Sequence, residues 1–315
     1  MRKILFLWFL FYAYSIADAT IFVYHRFGDD RYPSTNTSLE QIRKDFEYLK
    51  NNDYRVVPLS LLVSYIQEGK DIPPKWVVLT IDDNYKSFYE NGLELFKEFE
   101  FPFTLFVYVE ASEGKYGDFM TWEMIQDASH YGEIELHSYA HPWLTKLSED
   151  EIVTDTQKAF EIFEKRMGYK PKHYAYPYGA YNKKVQEQLK SFGIEAILNQ
   201  TAGATNKNSS PYDLFRVPLT GKANISGGLK YEALDVEWLE PLDYPKDGIL
   251  KKVKAKVDKD IKKVKIFVTE KGWIEDIPVH DGIVELELNT PLTQKRSRIA
   301  IGTTYHKISS QILIK

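Results

Sequence analysis

The chain of 315 residues contains no cysteine. That excludes disulfides, thiolate nucleophiles and every metal site built on sulfur, so any metal must be held by His, Asp or Glu. The formal net charge is −4, which gives no reason to expect a nucleic-acid partner. Internal repeats and low-complexity segments are absent. No apolar run is long enough to cross a bilayer comfortably; the N-terminal one, Ile4 to Ile16, has 13 residues.

That short run has a recognisable setting. Arg2 and Lys3 precede it and Ala17-Asp18-Ala19 follows it, the pattern of a signal peptide cut after Ala19. The expectation is a secreted or periplasmic protein with no stable membrane insertion once the signal is removed; an uncleaved anchor is the alternative. Aromatics are plentiful, with 22 Tyr, 18 Phe and 6 Trp. Most of these rings are expected in the core, although Tyr85, Trp122, Trp143 and Tyr181 lie in or near loops where they could stack on sugar.

Apolar strand-like segments alternate with amphipathic segments from Ile21 to Asn199. "KWVVLTI" reads as a buried strand. "SEDEIVTDTQKAFEIFEKRMG" reads as a long helix with a capping box, Ser148 with Glu151. "SFYENGLELFKEFE" reads as a helix. Such alternation implies a mostly parallel sheet, open or closed into a barrel, whose sites gather at the C-terminal strand ends. After about Lys230 the texture changes to period-2 strands such as "LKKVKAKVDKD" and "GIVELELNT", which predicts a small all-β sandwich. The expected division is 1–19 signal peptide, 20–230 α/β domain and 231–315 β-sandwich. Ten lysines between Lys246 and Lys271 face only four acids; a solvated sandwich face is favoured over a surface for an anionic polymer.

Four features fall at predicted C-terminal strand ends. "VVLTIDDN" ends in Asp82 and Asp83. "ELHSYAHPW" places His137 and His141 four apart, a spacing that lets two imidazoles share an ion. "YAYPYGAYN" ends a strand in Pro177-Tyr178-Gly179, and "VYHRF" puts His25 after the first strand. Each alone reads as a turn, a cap or a structural histidine. Together they supply two imidazoles and a carboxylate for a metal, with a second carboxylate to spare, which is the composition of a hydrolytic zinc site.

These motifs resemble those of the NodB-type polysaccharide deacetylases, carbohydrate esterase family 4, in order and spacing over about residues 20 to 220. "LTIDDNYKS" is similar to the Thr-Phe-Asp-Asp-Gly motif, "HSYAHP" to His-Ser/Thr-x-x-x-His-Pro, and "YAYPYGAYN" to the motif that walls the groove. "YHRF" resembles the circularly permuted subgroup that contains poly-N-acetylglucosamine deacetylases. The resemblance implies a distorted (β/α) barrel. It implies a divalent metal, zinc first and cobalt or nickel as alternatives, on Asp83, His137 and His141. It further implies Asp82 as base, His25 as the acid for the departing amine, and Arg216 as the partner of Asp82. Tyr178, with Pro177 and Tyr85, would face the oxyanion and substrate.

The chain departs from the family pattern in places. Asn84 stands where Gly is usual, the groove motif lacks its arginine, and "DVEWLEP" with Asp235 and Trp238 is a poor match to Asp-x-x-x-Trp. "IPVH" offers His280 as a rival acid inside the sandwich pattern. The resemblance implies a hydrolase acting on an N-acetylated polysaccharide, with a β-linked N-acetylglucosamine exopolysaccharide favoured. Peptidoglycan N-deacetylation, O-acetyl ester cleavage and a non-catalytic glycan-binding protein are the alternatives.

Overall fold

The computed structural model describes residues 18–315. The apolar run Ile4–Ile16 of the expected signal peptide lies outside the described residues. Asp18 and Ala19 lie inside them and are built into the fold. Ala19 is fully buried and exchanges two backbone hydrogen bonds with Thr205, at 2.8 and 2.9 Å. The Asp18 carboxylate accepts the Ala233 N–H at 2.7 Å.

Seven parallel strands form the first sheet: β1 (Thr20–Tyr24), β2 (Trp76–Asp82), β3 (Thr104–Val107), β4 (Glu133–Leu136), β5 (His173–Ala175), β6 (Ala196–Leu198) and β7 (Val217–Pro218). Their order is β7-β1-β2-β3-β4-β5-β6, with a two-residue strand, Arg55–Val56, paired to the start of β2. β2 is buried at all seven positions, as a strand covered on both faces requires. The sheet curls until its edges meet. Leu214 N–H donates to Ile197 O at 3.0 Å and Asn199 N–H to Leu214 O at 2.9 Å, and three residues later β7 pairs with β1. Segment 214–218 thus closes a distorted barrel.

Helices pack outside it. α1 (Leu39–Asn51) is N-capped by Ser38, and α2 (Leu59–Gln67), α3 (Leu93–Phe99) and α4 (Glu149–Met167) follow. α4 carries the expected capping box, Ser148 with Glu151. The helix read from "SFYENGLELFKEFE" forms, and it contains a wider turn. It opens with a π-helical turn, Phe88–Gly92, before α3. A Cβ on Gly92 would lie 2.5 Å from the Phe27 ring, so glycine lets the wider turn seat that ring.

The second sheet has eight strands: β8 (Glu232–Ala233), β9 (Glu237–Glu240), β10 (Ile249–Lys256), β11 (Lys263–Val268), β12 (Gly272–His280), β13 (Ile283–Pro291), β14 (Arg296–Gly302) and β15 (Lys307–Ile314). Their order is β8-β15-β14-β11-β12-β13-β10-β9, antiparallel except for the β8–β15 pair. β12 pairs with β11 through its first part and with β13 only through Val279 and His280. One continuous sheet therefore folds over on itself around a shared core that includes Val253, Ile266, Val284, Ile299 and Leu313. Its far ends come together where the Trp238 indole donates to Ser309 Oγ at 3.2 Å.

Six of the ten lysines, Lys251, Lys252, Lys254, Lys256, Lys263 and Lys265, are paired with Asp or Glu, most of them across strands. The run that looks basic in sequence is a surface of mixed sign.

Candidate active site

Parallel strands deliver their C-terminal ends to one rim, and the sequence places its polar motifs there. Asp82 is the last residue of β2, His137 follows β4, and His25 follows β1. Asp82, Asp83, His25, His137 and Arg216 are all buried. Burying that much charge is expensive unless each group is paired.

Asp83, His137 and His141 converge. His137 Nε2 lies 3.4 Å and His141 Nε2 3.2 Å from Asp83 Oδ1, and the two Nε2 atoms are 3.2 Å apart. Three donors around a tetrahedral ion with bonds of about 2.0–2.1 Å stand about 3.3–3.4 Å from one another. Asp83 Oδ1 is also a buried oxygen that no N–H or O–H donor satisfies. The Nδ1–H of His137 donates to Ala175 O at 2.7 Å, which leaves the Nε2 lone pair aimed at Asp83, the usual device for orienting a ligating imidazole. The three side chains fit a divalent ion. Burial works against charge on Asp83, but the two imidazoles beside it outweigh burial and hold the carboxyl well below its usual range.

Asp82 points elsewhere. Arg216 grips it with both arms, Nη1 to Oδ1 and Nη2 to Oδ2, each at 2.7 Å. Arg216 is fully buried, and its Nε donates to Asn199 O at 2.7 Å. Burial pushes the Asp82 carboxyl up, while Arg216 and His137 outweigh it and leave it below the ordinary value. The adjacent aspartates therefore serve different partners. Arg216, which the resemblance implied as the partner of Asp82, holds it with a two-armed contact.

His25 sits beside Asp82, whereas His280 ends β12 in the second sheet and is exposed. Burial holds the His25 imidazole below its usual range although Asp83 and Asp82 pull the other way. Pro177, Tyr178 and Gly179 form a single 3₁₀ turn after β5. The Tyr178 ring stacks on Trp143 at 4.7 Å and meets the His141 ring edge-on. Tyr85 covers the Arg26 guanidinium at 3.6 Å; burial and the Asp83 charge push its phenol upward, so it stays a hydroxyl. Trp122 is buried and Tyr181 stacks on buried Tyr176, so neither offers a free face. Asp235 and Trp238 are engaged by Asn206, Asn208 and Ser309 away from this rim.

The rim backbone is held in the left-handed region at Asp83, Asn84, Ser138, His141 and Tyr178. Non-glycine residues adopt it at a cost and persist there where the surroundings enforce it, often at functional sites. Asn84 has φ of +43°, a conformation asparagine tolerates better than most side chains. Its carboxamide fastens the turn, accepting from Tyr108 N–H at 2.7 Å and donating to Ser112 Oγ at 3.0 Å.

Sequence reasoning missed one residue. Gln200, two residues beyond β6, donates from Nε2 to Asp82 Oδ2 at 3.2 Å and lies 3.5 Å from His25 Nε2. It belongs to none of the motifs, and the only available signal was its place at the end of the strand "IEAILN".

Residues 69–197 match the polysaccharide deacetylase family model. The chain is 23% identical over 313 residues to the poly-beta-1,6-N-acetyl-D-glucosamine N-deacetylase of Escherichia coli (strain K12), covering 82% of this chain and 45% of that protein. It thus spans less than half the length of that relative. It is 23% identical over 215 residues to the protein of the same name from Staphylococcus aureus (strain MRSA252), covering 64% of this chain and 74% of that one. In fold it is similar to the Streptococcus pyogenes deacetylase PplD in complex with acetate, with a TM-score of 0.64, 16% identity, and coverage of 69% of this chain and 98% of that one.

Proposed function

We propose that this chain, whose residues 69–197 carry a polysaccharide deacetylase domain, hydrolyses the acetamide groups of a β-linked N-acetylglucosamine polymer. The observation that carries the reading is one rim holding both a three-ligand cradle, Asp83-His137-His141, and a separate carboxylate, Asp82, fixed by Arg216. The names of the Escherichia coli and Staphylococcus aureus relatives favour the β-1,6-linked exopolysaccharide over peptidoglycan.

A divalent ion in the cradle, zinc first, would supply a Lewis acid that polarises the acetamide carbonyl and acidifies a water. The protein's own groups do the rest. Asp82, kept ionised by Arg216, takes the proton of the attacking water. Arg216 fixes the carboxylate in both position and charge. The Tyr178 backbone N–H, turned by its left-handed conformation, donates to the oxygen on which charge develops. His25 gives a proton to the nitrogen as the C–N bond breaks; the bonding pair goes to that nitrogen, and the products are acetate and the free amine. The exposed Tyr178 ring and its Trp143 partner are placed to stack against a pyranose.

We place the catalytic unit in residues 20–230 and an accessory β domain in 231–315. Export rests on the N-terminal charge and apolar pattern; among the described residues no helix is long and apolar enough to cross a membrane. Purified residues 18–315 test the function. Zinc-dependent acetate release from β-1,6-N-acetylglucosamine oligomers, absent from peptidoglycan, is the expected result. Release from peptidoglycan alone replaces the substrate. Zinc binding without release from any acetylated glycan turns the reading to a glycan-binding protein.

A further inference from the structure

We infer that Gln200 is a specificity-determining residue that selects the acetamide over the acetyl ester by accepting the amide N–H; this rests on the deacetylase reading above. The Gln200 amide nitrogen donates to Asp82 Oδ2 at 3.2 Å and lies 3.5 Å from His25 Nε2. The bond to Asp82 anchors the group, makes Oε1 the free end of the amide, and leaves the His25 Nε2 proton for the leaving nitrogen. Gln200 is half-buried, and Oε1 is not among the enclosed polar atoms, so it remains open to a ligand.

The surrounding chain fixes this group. Thr201 N–H donates to Asn199 Oδ1 at 2.7 Å, Asn199 Nδ2 donates to Asp213 Oδ1 at 2.6 Å, and Asn199 O accepts Arg216 Nε. On the other side Gly179 presses against Gln200: a Cβ there would lie 2.6 Å from Gln200 N. The turn that carries Tyr178 is therefore seated on the residue that touches both Asp82 and His25.

The leaving nitrogen must come within hydrogen-bond reach of His25 Nε2, the atom that Gln200 already approaches. After water adds to the carbonyl, that nitrogen bears the sugar carbon, the acetyl carbon, one hydrogen and one lone pair. Holding its hydrogen on Gln200 Oε1 directs the lone pair to His25. An ester oxygen has two lone pairs and no hydrogen, so Oε1 offers it repulsion in place of a bond. A site that accepts a substrate N–H discriminates against an analogue lacking it.

The test compares wild type with Gln200→Met, which keeps the volume, and Gln200→Ala, which adds no bulk. Each is assayed for kcat/KM on a β-1,6-N-acetylglucosamine trimer and on an O-acetylated xylo-oligosaccharide. The expected result is a fall in kcat/KM on the amide about tenfold larger than any change on the ester, with zinc stoichiometry intact. Equal losses on both substrates, no loss on the amide, or loss of zinc in both variants overturns the inference and leaves Gln200 a structural strut. A wild type that releases no acetate from the amide instead removes the deacetylase reading, and the inference with it.

Discussion

Arg216 and Lys252 each hold a carboxylate, one in the segment that closes the barrel and the other on the folded-over sheet, under opposite conditions. Arg216 and Asp82 are both fully buried, with two parallel contacts of 2.7 Å. Lys252 reaches Glu285 and Glu287 at 2.9 Å from a side chain open to solvent. The backbones differ in the same way. In the second sheet, left-handed φ at Asp281 and Gly282 falls on the β12–β13 hairpin tip, where that residue pair is the ordinary choice. In the barrel it falls on a histidine, a tyrosine and an aspartate at the rim. The buried two-armed pair and a cluster of left-handed non-glycine residues thus coincide at the rim where a metal, a base and an acid would be held, while the Lys252 pairs stay at the surface.

Breaking the cradle should have the largest effect. His137→Ala should lose both zinc and acetate release, because it removes a ligand. Asp82→Asn should keep zinc and lose about 10²–10⁴-fold in rate. Titrating zinc into both proteins alongside the acetate assay separates the two roles. Zinc lost from Asp82→Asn, or full activity in it, would merge aspartates that the geometry keeps apart. Next comes Arg216→Met, which leaves Asp82 buried without its counter-charge. Removing one partner of a buried pair costs about 3–5 kcal/mol, read as a lower urea midpoint. A midpoint equal to wild type would mean that water reaches Asp82 freely.

A third effect is smaller and depends on pH. Asp213 is half-buried beneath Asn199 and Tyr181, and desolvation raises its carboxyl to about 6 despite the hydrogen bonds from those two side chains. Its folded value exceeds its unfolded one, so its contribution is fully present below about pH 4 and is lost as pH rises through about 6. The loss is at most ~3 kcal/mol. Asp213→Asn should remove this component from the pH profile of the urea midpoint. An identical profile in the variant would show that Asp213 is already ionised in the native state.

Which parts were legible follows from the range of the interactions involved. Asp82, Asp83, His137 and His141 were readable because their geometry is set within one turn after a strand, where spacing and position coincide. The alternation that announced a parallel sheet and the period-2 run that announced an all-β unit are equally local. Gln200 was silent because its contacts to His25 and Asp82 span 175 and 118 residues of chain. The parallel β8–β15 pair and the folding of one sheet at β12 were likewise set by partners distant in sequence. Arg216 stands between these cases: the family resemblance implied its role, and its position became meaningful only when segment 214–218 closed the barrel.

The smallest expected effect sharpens the comparison from the other side. Lysine density between Lys246 and Lys271 raised a binding face in sequence, with a solvated face favoured, and Lys252, Lys254 and Glu285 form a network on one sheet surface. Exposed pairs pay side-chain entropy and are screened by salt, so their net worth is small. Lys252→Ala should leave the urea midpoint and the kcat/KM on a short oligomer unchanged, in low and in moderate salt. A loss of activity confined to long polymer, with the trimer rate intact, would make this surface a contact for the chain beyond the active site. A drop in the urea midpoint would instead mean that the second sheet, like the barrel rim, depends on its charges.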